Sequence, residues 1–448
     1  MRKLVFIFTL VVTASCSKDF VVTDLDTGPK KTFLGEIEYV KNFGGSGEDT
    51  AQAIIVTNDG GFAVFGFSNS TDGDLAGKTL AVNDYWLLKF DAESNLQWSK
   101  TYGGSKDDRG QSLVQTNDGG YALTGYAESS DGDASSNQGF HDNWIVKLDA
   151  QGTLQWEKSF GFSGHDHSYD ILQTTDNGLF FAGFLDITSA RADGNTEKGN
   201  TLTRHGVGEF WGSKLDKNGN LQWRSYFGGT NNDRAHAVVQ ADDGGFVMAG
   251  FTESNDFDVN NSRGSYDFWV VKLDDKGNLK WQSPFGGTGI ERAQDIAKTD
   301  DGGYVISGNT FSTDGDITKN HGESDIWLIK VASDGKMVWE RTFGGSGFDD
   351  AQSVSLSADG GFIIAGNSKS NDADANANAG ENDIWVIKTD ENGNMVWQKS
   401  FGGTGLDFGF DALETADGGI ILVGETSSTD FLDLHNMGKS DAVIIKIR

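Results

Sequence analysis

The chain is poor in cysteine, in proline and in cations, and each shortage excludes something. Cys16 is the only cysteine among 448 residues, so no disulfide framework holds the protein together. Two prolines are too few for a proline-rich linker protein. With 36 Lys and Arg against 66 Asp and Glu, the net charge is −30. Such a surface repels phosphate backbones and excludes nucleic acid as a partner, while favouring solubility and attracting cations or basic surfaces. No apolar run approaches the ~20 residues of a membrane-spanning helix, and no segment carries the 3.6-residue periodicity of an amphipathic one. Nucleophile elbows, zinc-protease helices, phosphate loops and dinucleotide fingerprints are all missing. Acid pairs are too numerous to single out a glycosidase dyad. No catalytic residue is nominated.

What the chain does have is glycine, 61 residues of it, arranged in a repeat. Phe43-Gly44-Gly45 recurs as Tyr102-Gly103-Gly104, Phe160-Gly161, Phe227-Gly228-Gly229, Phe285-Gly286-Gly287, Phe343-Gly344-Gly345 and Phe401-Gly402-Gly403, at spacings of 59, 58, 67, 58, 58 and 58 residues. A fixed period of this length marks a repeat architecture in one large domain. Each unit holds four short apolar runs, here strands a to d, separated by turn signals. In the first unit they are Ala51 to Thr57, Phe62 to Phe67, Tyr85 to Phe90 and Leu96 to Lys100, with Asn58-Asp59-Gly60-Gly61 as the a–b hairpin. Four strands per unit predict the blades of an all-β propeller.

Phasing at the ends fixes the number of blades at seven. The last unit stops after strand c, at Ala442 to Ile447. The missing strand d stands before the first Phe-Gly-Gly, in Gly35 to Lys41, with Tyr39 where other units have Trp. The N-terminal strand therefore completes the last blade and leaves no open edge. An open solenoid, the alternative, has no need of this circular phasing.

Other columns suit a radial stack. Strand a opens with small residues (Ala51, Gly110, Ser168, Ala235, Ala293, Ala351 and Gly409), as crowding at an axis requires. Every strand b holds one glycine, from Gly66 to Gly424, which predicts close approach of another backbone. The tryptophans of strands c and d read as packing between blades. A lysine closes each strand c, from Lys89 to Lys446, and is expected to pair with nearby acids on the opposite face.

Phe227-Gly228-Gly229, the turn Asp243-Gly244-Gly245 and Asp267-Phe268-Trp269-Val270-Val271-Lys272-Leu273 resemble the bacterial β-propeller repeats labelled SBBP, and the resemblance covers residues 35 to 448. It implies the propeller fold and supplies no catalytic residue, since a shared fold is not a shared function. The other end of the chain carries an address. Basic Arg2 and Lys3, apolar Leu4 to Val12 and small Thr13, Ala14 and Ser15 precede Cys16, which resembles a bacterial lipoprotein signal. The resemblance implies a signal peptide over residues 1 to 15, lipidation of Cys16 and a polar tether over 16 to 34. With Ser17 in place of an inner-membrane retention Asp, it also implies an outer-membrane destination, on the cell surface or the periplasmic side.

Acids mark the starts of strands a and c, which antiparallel pairing places on one face. Before strand a stand Asp49, Asp108, Asp166, Asp233, Glu291, Asp349 and Asp407. They are expected to ring the mouth of the central channel. They either accept backbone N–H bonds from the glycine-rich d–a loops or bind a hard cation such as calcium. Asp-x-Asp loops such as Asp72-Gly73-Asp74 face the same way, as Asx turns or as weak calcium loops. Unit three breaks the template. Its extra residues fall between Asp186 and Glu209, and His165 and His167 flank Asp166. With Arg204 they are the candidate ligand-binding residues, and His–Asp–His is also a candidate metal sequence; the alternative is a drifted surface loop. The function that best fits is a surface-tethered binding or scaffold lipoprotein holding a protein or a glycan on its loop-rich acidic face. A polysaccharide lyase or glycosidase on the propeller top, and a purely structural envelope protein, are the rivals.

Overall fold

The computed structural model describes residues 33–186, 208–432 and 434–448. It is a seven-bladed β-propeller of seven four-stranded antiparallel sheets. Blade 1 runs Asp49–Val56, Phe62–Ser68, Asp84–Phe90 and Leu96–Tyr102 from axis to rim, and the other blades repeat it. Blade 7 is composite: Ile37–Phe43 pairs antiparallel with Asp441–Ile447, the chain's last strand. Backbone bonds from Leu34 and Gly35 to the Arg448 carbonyl extend the closure past the strand. The one helical element among the described residues is a 3-10 turn, Gly73–Leu75, in the first b–c loop. Among them no helix is long and apolar enough to cross a membrane.

Tryptophan does the inter-blade work expected of it. The strand-c rings Trp86, Trp144, Trp211, Trp269, Trp327 and Trp385 are fully buried. Three of them meet aromatics of the preceding blade, Tyr85–Trp144 at 4.6 Å, Phe210–Trp269 at 4.5 Å and Phe268–Trp327 at 4.6 Å. Each strand-d Trp lies instead beneath the c–d turn of the next blade. Trp98, Trp156, Trp223, Trp281, Trp339 and Trp397 sit against Gly152, Gly219, Gly277, Gly335, Gly393 and Gly35. These glycines have positive φ, and a Cβ would enter the indole. At the seventh junction both partners change together: Tyr39 replaces Trp, Ser94 replaces Gly, and the Tyr39 hydroxyl donates to Ser94 Oγ at 2.7 Å.

The strand-b glycines are explained by a bulge. In every blade the a–b register slips by one residue, for example between Ala235 and Ala237. A bulge turns the local backbone. The carbonyl before it, Arg234 in blade 4, is pressed against Gly250, where a Cβ would collide with it. The extra residue, His236 here, faces the axis and lines the central cavity.

The lysines closing strand c are buried along their stems. All seven reach the Asp at the second position of the a–b turn within 3.0 Å, as Lys89–Asp59, Lys147–Asp118, Lys214–Asp176, Lys272–Asp243, Lys330–Asp301, Lys388–Asp359 and Lys446–Asp417. Pairing and turn hydrogen bonds outweigh partial burial and lower the carboxyl pKa, to about 2 at Asp301 and Asp417.

Candidate functional site

The strand-a acids were expected at the channel mouth. Each lies fully buried under its own d–a loop. Asp49 Oδ2 accepts the Gly45 N–H at 2.8 Å and the Ser70 hydroxyl at 2.7 Å, and Oδ1 accepts the Ser68 hydroxyl. Gly104, Phe162, Gly229, Gly287, Gly345 and Gly403 donate in the same way to Asp108, Asp166, Asp233, Glu291, Asp349 and Asp407, at 2.7–2.9 Å. These are loop latches, one per blade, and they are not gathered around a common point. The Asp-x-Asp loops latch the same d–a loops from the other side: Asp72 accepts the Ser46 N–H at 2.7 Å, and Asp74 the Gly44 N–H at 2.9 Å. The acids opening strand c sit behind them. Burial pushes Asp84, Asp142, Asp267 and Asp383 up to about 6. It does the same to Asp233, to about 6, and to Asp166, to about 7.

The non-repeating chemistry lies in other columns. Seven bulged residues, Gln52, Gln111, Tyr169, His236, Gln294, Gln352 and Phe410, face the axis around a cavity of about 230 Å³. On one side four amides, Gln294 and Gln352 then Gln52 and Gln111, flank Phe410. Tyr169 and His236, with ring centroids 5.0 Å apart, make the other side aromatic. Burial lowers His236 to about 4, so its ring is neutral at ordinary pH.

Where the strands leave this cavity towards the d–a and b–c loops, blades 1 to 5 interleave arginines with aromatic rings. The Arg109 guanidinium lies over Phe67 at 5.1 Å and Arg234 over Phe184 at 4.2 Å. Arg292 lies over Phe251 at 5.6 Å and Tyr266 at 5.0 Å. Tyr126 and His167 fill the step between Arg109 and Phe184. Blades 6 and 7 carry Asp350 and Glu425 in the matching columns, and Glu425 accepts the Thr50 hydroxyl. The cations of the channel end thus lie in blades 2 to 5, while blades 6 and 7 bring two acids beside Phe408.

At the junction of blades 2 and 3 three imidazoles meet. His167 opens strand a of blade 3, and His165 lies two residues before it. His141 comes from the end of the blade-2 b–c loop. A parallel bridge joins His141 to His165, and the Asp166 N–H donates to the His141 carbonyl at 2.8 Å. His141 Nδ1 stands 3.0 Å from His167 Nε2 and 3.2 Å from His165 Nδ1. Tyr126 stacks on His141 and on His167, both at 4.4 Å. Phe184 packs beside His167 at 4.9 Å and Phe140 beside His165 at 5.0 Å. Burial, then the neighbouring imidazoles, lower His141 and bring His167 down to about 3.

Of the residues singled out in the sequence, His165 and His167 are therefore brought together, and with His141, which sequence reasoning missed. Arg204, the extra b–c loop residues of unit three and Cys16 lie outside the described residues. A signal for His141 did exist. The residue before each strand-c acid bridges the residue before the next blade's strand-a acid, as in Glu48–Ser440, Tyr266–Ile290, Ser324–Phe348 and Asn382–Leu406. Aligning those two columns puts His141 opposite His165.

No family model and no curated protein matches the chain. Among solved structures it is similar to the Pan2 WD40 domain of Neurospora crassa, at 10% identity over 93% of this chain and 98% of that one, with a TM-score of 0.49. It is also similar to Sqt1 from Chaetomium thermophilum, at 11% identity over 92% and 100%, with a TM-score of 0.42. A third is the PQQ-bound aldose sugar dehydrogenase of Streptomyces coelicolor, at 13% identity over 76% and 94%, with a TM-score of 0.37. No activity is carried over from these proteins.

Proposed function

We propose that the protein is a secreted, lipid-anchored binding module of the outer membrane, akin to SBBP-like repeat proteins. Its partner, a glycan or a protein, docks at the loop end of the central channel. The observation that carries this reading is the arc of Arg109, Arg234 and Arg292 interleaved with Phe67, Tyr126, Phe184, Phe251 and Tyr266. Folding needs no such arc, because blades 6 and 7 fold with Asp350 and Glu425 in its columns. The half-buried rings Phe67 and Tyr266 can take the C–H face of a sugar ring or an apolar side chain, the buried rings Tyr126, Phe184 and Phe251 back the guanidinium groups, and those groups bond carboxylate. The ligand chemistry is therefore a carboxylate beside an apolar face, as in a uronate-containing glycan. The cavity beyond, lined by amides and by Tyr169 and His236, suits a small polar group entering the channel.

The test is a panel of acidic and neutral glycans and acidic peptides against the purified domain. Arg234→Ala combined with Arg292→Ala is expected to weaken the ligand about 10-fold or more, and added salt to weaken it further. Equal binding of neutral and acidic ligands, untouched by the double variant, would overturn the reading.

A further inference from the structure

We propose that His141, His165 and His167 form a three-histidine seat for a divalent first-row transition metal, with zinc the expected occupant. Among the described residues this is the group of His, Cys, Asp or Glu side chains whose ligand atoms converge, all within 4.8 Å of one another. The inference stands on this geometry and does not depend on the carboxylate-binding reading.

Three features argue for a metal over chance contact. The first is spacing. Zinc holds imidazole nitrogens at about 2.0–2.1 Å in tetrahedral geometry, so bound nitrogens lie roughly 3.3 Å apart. His141 Nδ1 is already 3.0 Å from His167 Nε2 and 3.2 Å from His165 Nδ1. The second is hydrogen-bond arithmetic. A ring nitrogen offers one in-plane site, either a proton or a lone pair. His141 Nδ1 faces two other ring nitrogens and can serve one of them, so one contact is left with mismatched partners. A cation among three lone pairs satisfies all three at once. The third is support. Tyr126 clamps two of the rings, and the backbone bridge between His141 and His165 fixes where two of the side chains start. The Tyr126 hydroxyl in turn donates to Asp107 Oδ2 at 3.2 Å. Ligands held this way pay little ordering cost when the ion arrives.

The donor set selects the class of ion. Three imidazoles and no thiolate suit zinc, copper(II), nickel or cobalt, and not calcium, which takes oxygen. His165 is exposed, so the ion can enter from solvent. Three protein ligands leave a fourth tetrahedral position for water or a donor atom of a bound partner. Arg109 and Arg234 lie near enough to His167 to oppose added positive charge, while Glu128 and Asp107 act on His141 in the opposite sense.

The experiment uses tag-free protein carrying residues 17 to 448, stripped with chelator. Zinc chloride is titrated in by calorimetry, and cobalt(II) by visible absorption. One ion per chain is expected, with the intense visible bands of tetrahedral cobalt. His141→Gln and His167→Gln should each weaken zinc by at least about 10- to 100-fold, whereas His435→Gln, remote from the group, should leave it unchanged. Circular dichroism checks that each variant is folded. Wild-type protein that takes up no zinc in the micromolar range, or only with the weak octahedral cobalt spectrum, would overturn the proposal. So would folded His141→Gln protein that binds zinc as tightly as wild type.

Discussion

The strand-b glycine tests the central mechanical claim, that a bulge in strand a forces a backbone against strand b. Gly250 is the example. Its hydrogen faces the Arg234 carbonyl, and an added methyl would meet that oxygen and the Ala235 Cα, neither of which is a flexible chain end. Overpacking costs about 1–3 kcal/mol, and a Cβ only 1.9 Å from a backbone oxygen places this site at the upper end, about 3 kcal/mol. The stiffer unfolded chain of an alanine variant returns about 0.4–1 kcal/mol. The net loss for Gly250→Ala is therefore about 2 kcal/mol. Unfolding entropy of about 2.1 cal/mol/K per residue over a ring of roughly 410 residues makes each kcal/mol worth about 1.2 °C. The melting temperature should fall by roughly 2–3 °C. Gly77→Ala is the control: its Cβ meets open space and its φ is ordinary, so a rise of about 0.5 °C is expected. Differential scanning calorimetry of both variants in one buffer separates them. Gly250→Ala melting at or above wild type would refute the bulge argument.

Three further outcomes follow from the same structure. Burial raises Asp84, Asp233, Asp267 and Asp383 to about 6, above the unfolded value of about 3.9, so their ionised forms penalise the fold. Metal-free protein should gain stability as pH falls from 7 towards 4, less the part taken back by His167 and His236, which burial holds at about 3 and 4 while the unfolded chain protonates them near 6.5. It should then lose stability below about pH 4, where the lowered acids of the lysine-paired turns protonate; a melting temperature that only falls from pH 7 to 5 would contradict this. Deleting residues 35 to 42 removes the strand paired with Asp441–Ile447 and uncovers the core around Ile445 and Trp397, at a cost of roughly 5 kcal/mol or more, visible as an earlier and broader melt. Cys16→Ser should move the protein from the membrane fraction to the soluble fraction of fractionated cells; unchanged fractionation would exclude the lipid anchor.

The fold was legible because each blade repeats the same physical compromises. Glycine under a bulged carbonyl, lysine at an acidic turn and tryptophan beneath a glycine turn recur seven or six times, and repetition makes a weak signal strong. Ring closure was legible for the same reason, through Tyr39 standing in a tryptophan column. Ser94 as its partner was not, since nothing along the chain links residues 55 positions apart. The site was legible only in part. His165 and His167 stood out as departures from the template. His141 did not, because it meets them across a junction between blades, and that pairing emerges only when two columns are aligned. The arginine arc was missed altogether, for its residues lie one or two blades apart along the chain and none is unusual alone.

The distribution of acid also changes what the net charge means. Read as composition, −30 describes an acidic face offered to a partner. In three dimensions two acids per blade, those opening strands a and c, are buried. A third pairs with the strand-c lysine, and the Asp-x-Asp side chains accept N–H groups of the d–a loops. Much of the charge is therefore committed to fastening loops. A carboxylate suits that task because it accepts several N–H bonds at once in a chain with many glycine turns. A site that discriminates must then come from columns with no fastening role. Those are the bulged residues, the residue after each strand-a acid and the paired positions before the strand-a and strand-c acids. In these columns the arginines and histidines fall in blades 2 to 5, against an acidic background, while Phe408 and Phe410 add aromatic rings in blade 7. In the function proposed above, local charge of the opposite sign at the end of a channel is what would select an anionic ligand that the molecule as a whole repels.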